Sequence, residues 1–138
     1  MRAPINPRLY DCTAEAPVLA GVQCRGCDHV YFPPIGIGCE ICGAQADQLI
    51  PRAVSTDGVV HAAAEVFFGT GKTPTPYTVV EVALDAGPLI RAMAHPDSPT
   101  LQIGDRVTAK WNVIETKEDG TDMVEPAFAA PAIQESNA

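Results

Sequence analysis

A chain of 138 residues that is 46% hydrophobic can bury one ordinary domain, or a small metal-held module joined to a barrel-sized one, but not most two-domain enzymes. Seventeen acidic against nine basic side chains give a net charge of −8, which argues against a protein that gains affinity by neutralising phosphates. No apolar run approaches the roughly 20 residues that cross a bilayer, and the N-terminus lacks the apolar core of a signal peptide. A cytoplasmic location is expected, where paired cysteines serve as metal ligands more often than as disulfides.

Residues 1–17 are polar and broken by proline, and they read as an N-terminal arm. Cys12 lies in this arm without a second cysteine beside it and is expected to be a plain free thiol. Residues 18–48 form the next unit. Val18–Val22 leads into Cys24-Arg-Gly-Cys27, Val30, Tyr31 and Phe32 leave it as a strand, and Pro33-Pro34 reverses the chain before Cys39-Glu-Ile-Cys42-Gly43. Residues 49–130 then change to period-two alternation, the pattern of an antiparallel sheet or barrel. Val59–Phe68 is a strand opened by Asp57-Gly58. Thr78, Val80, Val82 and Leu84 share one face of a second strand, which turns at Asp85-Ala86-Gly87-Pro88 into Leu89–Met93. Along Arg106–Val113, the residues Val107, Ala109, Trp111 and Val113 are expected in the core, with Thr108, Lys110 and Asn112 in water. A turn at Lys117–Gly120 precedes a last strand around Met123, Val124 and Phe128. Residues 131–138 form an acidic tail expected to fray. The predicted fold is mainly β: a zinc ribbon followed by a five-stranded barrel.

The strongest chemical signal is the cysteine quartet. Two Cys-x2-Cys turns, eleven residues apart, supply the four thiolates of a closed structural zinc site, so Cys24, Cys27, Cys39 and Cys42 are the predicted metal ligands. Iron in a rubredoxin-like site is the competing ion. Glu40, inside the second turn, need not ligate when four sulfurs are present. A phosphate-loop reading of Gly69-Thr70-Gly71-Lys72-Thr73 fails, because its first glycine would fall at Val66 and Pro74 and Pro76 stop the helix that must follow. A glycine-rich connection is the plainer reading, with Phe67, Phe68 and Lys72 as its contacts should it meet a ligand or partner. His29, His61 and His95 are dispersed, and no local Ser/His/Asp or Cys/His set can be assembled from them, so no catalytic residue is assigned.

The chain from about Val22 to Phe128 resembles the acyl-CoA-associated OB-fold proteins that carry an N-terminal rubredoxin-like zinc ribbon and accompany thiolases. The resemblance is carried by the two cysteine pairs with Pro33-Pro34 between them, Ser55-Thr-Asp-Gly-Val-Val60, Tyr77–Leu84 with Asp85-Ala-Gly-Pro88, and Ile103-Gly-Asp-Arg-Val107. It implies an OB-fold barrel on the ribbon. It also implies a small, non-catalytic, zinc-containing subunit of a heteromeric thiolase-like acyltransferase, of which benzoylsuccinyl-CoA-type thiolases are one kind, with coenzyme A held at the subunit interface. Two departures stand out: Glu40 replaces a frequent proline, and no amphipathic helix precedes Pro17. The alternatives are a free-standing acyl-CoA or nucleic-acid-binding OB module and a rubredoxin-like electron carrier. Neither needs a thiolase partner.

Overall fold

A computed structural model describes residues 1–67 and 76–130; Phe68, the glycine-rich loop with Lys72, and the tail at 131–138 lie outside the described residues. The described chain forms nine strands: β1 (Arg2–Pro4), β2 (Val18–Cys24), β3 (Val30–Tyr31), β4 (Leu49–Ser55), β5 (Gly58–Val66), β6 (Tyr77–Leu84), β7 (Leu89–Met93), β8 (Arg106–Thr116) and β9 (Asp122–Ala129). A single 3-10 turn spans Ala46–Gln48. Among the described residues no helix is long and apolar enough to cross a membrane.

The strands divide into a ribbon sheet ordered β3-β2-β4 and a larger sheet ordered β1-β9-β8-β5-β6-β7. The larger sheet curls until the end of β7 returns to β9. Ala94 bridges Phe128 in parallel, and the His95 N–H donates to the Phe128 carbonyl at 2.7 Å. That closure makes an OB-like half-barrel of the five strands that follow the ribbon. The predicted hairpin is present, with the Gly87 N–H donating to the Leu84 carbonyl at its tip. Val80, Val82 and Leu84 point into the core, as their spacing requires.

Ribbon and barrel share one core. Leu19, Val30 and Val54 of the ribbon sheet join Val60, Val80, Val82, Val107 and Phe128 of the barrel in a continuous buried cluster, and Tyr10 of the N-terminal segment completes it. Thr56, at the junction, is buried; its hydroxyl accepts from the Ala109 N–H at 3.1 Å and lies 3.3 Å from the Thr108 hydroxyl. Gly21 lets the ribbon strands approach closely: a Cβ there would stand 2.6 Å from the Tyr31 carbonyl oxygen and 2.7 Å from a Val54 methyl.

The expected alternation of β8 holds through Ala109 and then fails. Asn112, expected in water, is buried, while Val113, expected in the core, is 51% exposed. Beyond Trp111 the strand runs past the edge of the core and carries a bulge between Val113 and Glu115, so facing no longer follows simple parity. Trp111 itself is half-buried at the core margin. Its ring packs 5.9 Å from Tyr10 with the Arg2 guanidinium 5.5 Å from its centroid, and its Nε1–H donates to the Ala14 carbonyl.

Candidate metal centre

Each cysteine pair sits in a turn of the same shape. In the first, the Asp28 N–H donates to the Cys24 carbonyl and the Cys24 N–H to the His29 carbonyl; in the second, the Gly43 N–H donates to the Cys39 carbonyl and the Cys39 N–H to the Ala44 carbonyl. The residue after each second cysteine is left-handed, Asp28 at φ 66° and Gly43 at φ 78°. Asp and Gly are residues that tolerate this region. The first turn grows from the end of β2 and returns through β3, which ties it to the shared core.

The two turns face each other and bring all four Sγ atoms within 4.8 Å of one another. The closest pairs cross between the turns, Cys24 to Cys42 and Cys27 to Cys39, each at 3.6 Å. A disulfide needs about 2.05 Å, so neither pair is bonded. Four thiolates around a tetrahedral zinc with bonds of about 2.3 Å stand about 3.8 Å apart, and the donor set fits that ion. Iron takes the same four sulfurs. Cys24 and Cys39 are buried, Cys27 is half-buried and Cys42 is exposed, so the cluster lies at the ribbon's surface with its inner half sealed.

Hydrogen bonds set the sulfurs apart chemically. The Tyr31 hydroxyl accepts the Glu40 N–H at 3.0 Å and stands 3.3 Å from the Cys39 Sγ, to which it is free to donate. That contact, with backbone N–H groups of the second turn, holds the Cys39 thiol down at about 6, and in return Tyr31 is pushed above the ordinary phenol value. For Cys27 the largest single influence, a backbone hydrogen bond at His29, favours the thiolate, but burial and the three neighbouring sulfurs together push it up to about 12. Without a cation, Cys39 is thus favoured as a thiolate and Cys27 as a thiol. A divalent ion would remove that difference by stabilising all four thiolates. The Gly26 N–H, 3.3 Å from the Cys24 Sγ, adds a donor to the cluster.

The other candidates lie elsewhere. Glu40 is exposed and outside the cluster; its backbone N–H donates to the Tyr31 hydroxyl. His29 is exposed and packs edge-on against Tyr31, with ring centroids 4.5 Å apart. His61 is exposed on β5, and both ring nitrogens of His95 are engaged, with the Trp111 carbonyl and the Asp97 N–H. Cys12, half-buried in the N-terminal segment, is outside the quartet. Sequence reasoning missed Tyr31, which it counted only as a strand residue. The available signal was an aromatic hydroxyl four residues after Cys27, where the strand leaving the first turn passes behind the second.

These features define a protein with a four-cysteine ribbon fused through a common core to an OB-like half-barrel. Residues 14–48 match the family described as "ChsH2, rubredoxin-like zinc ribbon domain". The fold as a whole is similar to a solved structure titled "Ltp2-ChsH2(DUF35) aldolase", with a TM-score of 0.64 and 23% sequence identity over 84% of this chain and 86% of that one. At that identity the likeness concerns the fold.

Proposed function

We propose that this protein is a non-catalytic accessory subunit of a heteromeric thiolase-like acyltransferase acting on acyl-CoA in the cytoplasm. Cys24, Cys27, Cys39 and Cys42 hold a structural zinc ion in it. The observation that carries the reading is the cysteine quartet with all four sulfurs converged. A closed four-thiolate site has no open position for substrate, and it commits four of the five cysteines to architecture. Carbon–carbon bond formation or cleavage on an acyl-CoA needs an activated nucleophile or base beside the acyl group. His95 has both ring nitrogens occupied, and no side-chain hydrogen bond joins a cysteine to a histidine among the described residues. The catalytic groups then belong to the partner, and coenzyme A sits between the two subunits. Support for a partner comes from the ribbon's family match and from the fold shared with a structure whose title pairs a DUF35 protein with an aldolase component.

The test is co-expression with the thiolase-type gene neighbouring this one, followed by isolation through a tag on this chain. A stoichiometric complex whose acyl-CoA activity collapses when this subunit is omitted is expected. A partner that is equally soluble and active alone would refute the proposal. The acyl products separate thiolytic from aldol-type cleavage.

A further inference from the structure

On the outer side of β8, a cavity of about 530 Å³ opens between the start of β6, the segment following β7 and the middle of β8. Its walls mix the apolar side chains of Met93, Leu101, Val113 and Ile114 with the uncharged polar residues Thr78, Ser98 and Thr100. Among the described residues no aspartate, glutamate, lysine or arginine lines it. At its margin His95 is held through both ring nitrogens, Nδ1 by the Asp97 N–H at 3.1 Å and Nε2 by the Trp111 carbonyl at 3.2 Å.

One polar group in this wall has no partner among the described residues. Asn112 is 8% exposed, and its side chain makes no hydrogen bond to another described residue. A buried carboxamide left with neither its donors nor its acceptor satisfied destabilises the fold, and native proteins rarely leave one without a use. The group is also out of place by sequence pattern, since it is the first residue at which β8 departs from its alternation. Space, neutrality and an unmatched donor–acceptor pair occur at one spot.

We propose that this cavity is a binding site for a neutral ligand group whose amide N–H and C=O face the same way and pair together with the Asn112 side chain. A carboxamide presents a donor and an acceptor side by side, and the groups that satisfy both at once are a primary amide or the N–H and C=O of one extended peptide residue, which face the same way; in a single trans secondary amide they point apart. Among the described residues of the walls, anionic ligands find no lysine or arginine and cationic ones no carboxylate. The volume of about 530 Å³ lies within the range of small-molecule sites. The site is separate from the cysteine cluster and does not depend on the accessory-subunit reading.

The test uses the full, zinc-loaded chain and two matched probes, pentanamide and methyl pentanoate, followed by the NMR signals of the Asn112 side-chain NH2 and the Thr78 and Ala94 amides. The amide is expected to shift all three and to bind about tenfold more tightly than the ester, which lacks the N–H. Asn112→Leu is expected to lose that preference and to melt no lower than the wild type, because it removes an unpaired polar group. N-acetyl-leucine N-methylamide then distinguishes the ligand's source: tighter binding than pentanamide indicates a peptide segment, equal or weaker binding a small molecule. Equal shifts from amide and ester, or none up to tens of millimolar, would overturn the proposal. So would an Asn112→Leu protein that unfolds or melts well below the wild type, since that would show the amide to be satisfied within the fold.

Discussion

Tyr31 does at residue scale what the cysteines cannot do for themselves. Its ring belongs to the ribbon strand, but its hydroxyl links the Glu40 N–H of the second turn to the Cys39 sulfur, so one side chain fixes the distance between the two halves of the metal site. Tyr31→Phe keeps the ring and removes the link. The fold should persist, and zinc affinity, measured by competition with a chromophoric chelator, should fall about tenfold, the lower end of what outer hydrogen-bond partners of metal ligands contribute. Undiminished affinity would show that the hydroxyl does not orient Cys39. Glu125 presents the opposite case, a group whose surroundings oppose its charge. It lines a second cavity beside Tyr10 and Arg91, and burial, the one influence on it, raises its pKa above the usual carboxylate value. Arg91 is engaged with Glu81 at 2.6 Å. A carboxyl whose folded pKa is raised binds its proton more tightly in the native state, so stability declines as pH rises from the unfolded pKa through the folded one. Above both values the cost is complete. Glu125→Gln should therefore raise the melting temperature at pH 7 to 8 and change little near pH 4. The gain should correspond to at most about 1 kcal/mol, because the carboxylate is half exposed and screened by solvent. A gain equal at both pH values would place its origin elsewhere.

At the scale of elements, the ribbon is a three-strand sheet whose middle strand tolerates no side chain at Gly21. Both atoms that a Cβ would meet are fixed, one a backbone oxygen of β3 and the other a methyl of the fully buried Val54 on β4. Gly21→Ala must part the strands on both sides. A cost of about 1–3 kcal/mol, the usual range for overpacking, is expected in denaturant unfolding. Because β3 carries Tyr31, zinc affinity should drop as well, and a loss of stability without any loss of affinity would uncouple sheet from site. What the sequence disclosed at this scale follows from range. The cysteine turns, the Asp85–Pro88 hairpin and the core face of β6 are set by neighbours a few residues apart, and spacing alone exposes them. The parallel pairing of Arg2–Pro4 with Asp122–Val124 is not, since three residues carry no periodicity and their partner lies at the other end of the chain. The phase change at Asn112 and Val113 was hidden for a related reason: alternation assumes that a strand stays on its core, and β8 outruns it. Trp111 was legible as an apolar anchor but not as the residue that receives the N-terminal segment, because Arg2 and Ala14 reach it only after β1 has paired with β9.

For the whole molecule the decisive question is whether ribbon and barrel unfold separately. Their connection is not a linker. β4 ends at Ser55 and β5 begins at Gly58, and the intervening Thr56 is buried and hydrogen-bonded to β8. The N-terminal segment spans both units: β1 pairs with β9 of the barrel, and Tyr10 bridges Leu19 of the ribbon. Val54 and Leu19 on one side and Val60, Val82 and Phe128 on the other belong to a single buried cluster, so opening either unit exposes apolar surface of the other. Metal binding in small ribbon modules supplies on the order of 10 kcal/mol of folding free energy, comparable to the whole stability of a domain of this size. Zinc removal should then lower the stability of the entire chain rather than melt the ribbon off an intact barrel. With a strong chelator present, near-ultraviolet dichroism at Trp111 and far-ultraviolet dichroism of the sheets should fall in one coincident transition, shifted well below that of the metal-loaded protein. Cys24→Ser and Cys39→Ser should behave like the chelated wild type. Two separated transitions, the second at the temperature of the metal-loaded barrel, would show that the shared core is too small to couple the two halves. The ribbon would then be a tethered module, free to order itself on a partner without reference to the barrel.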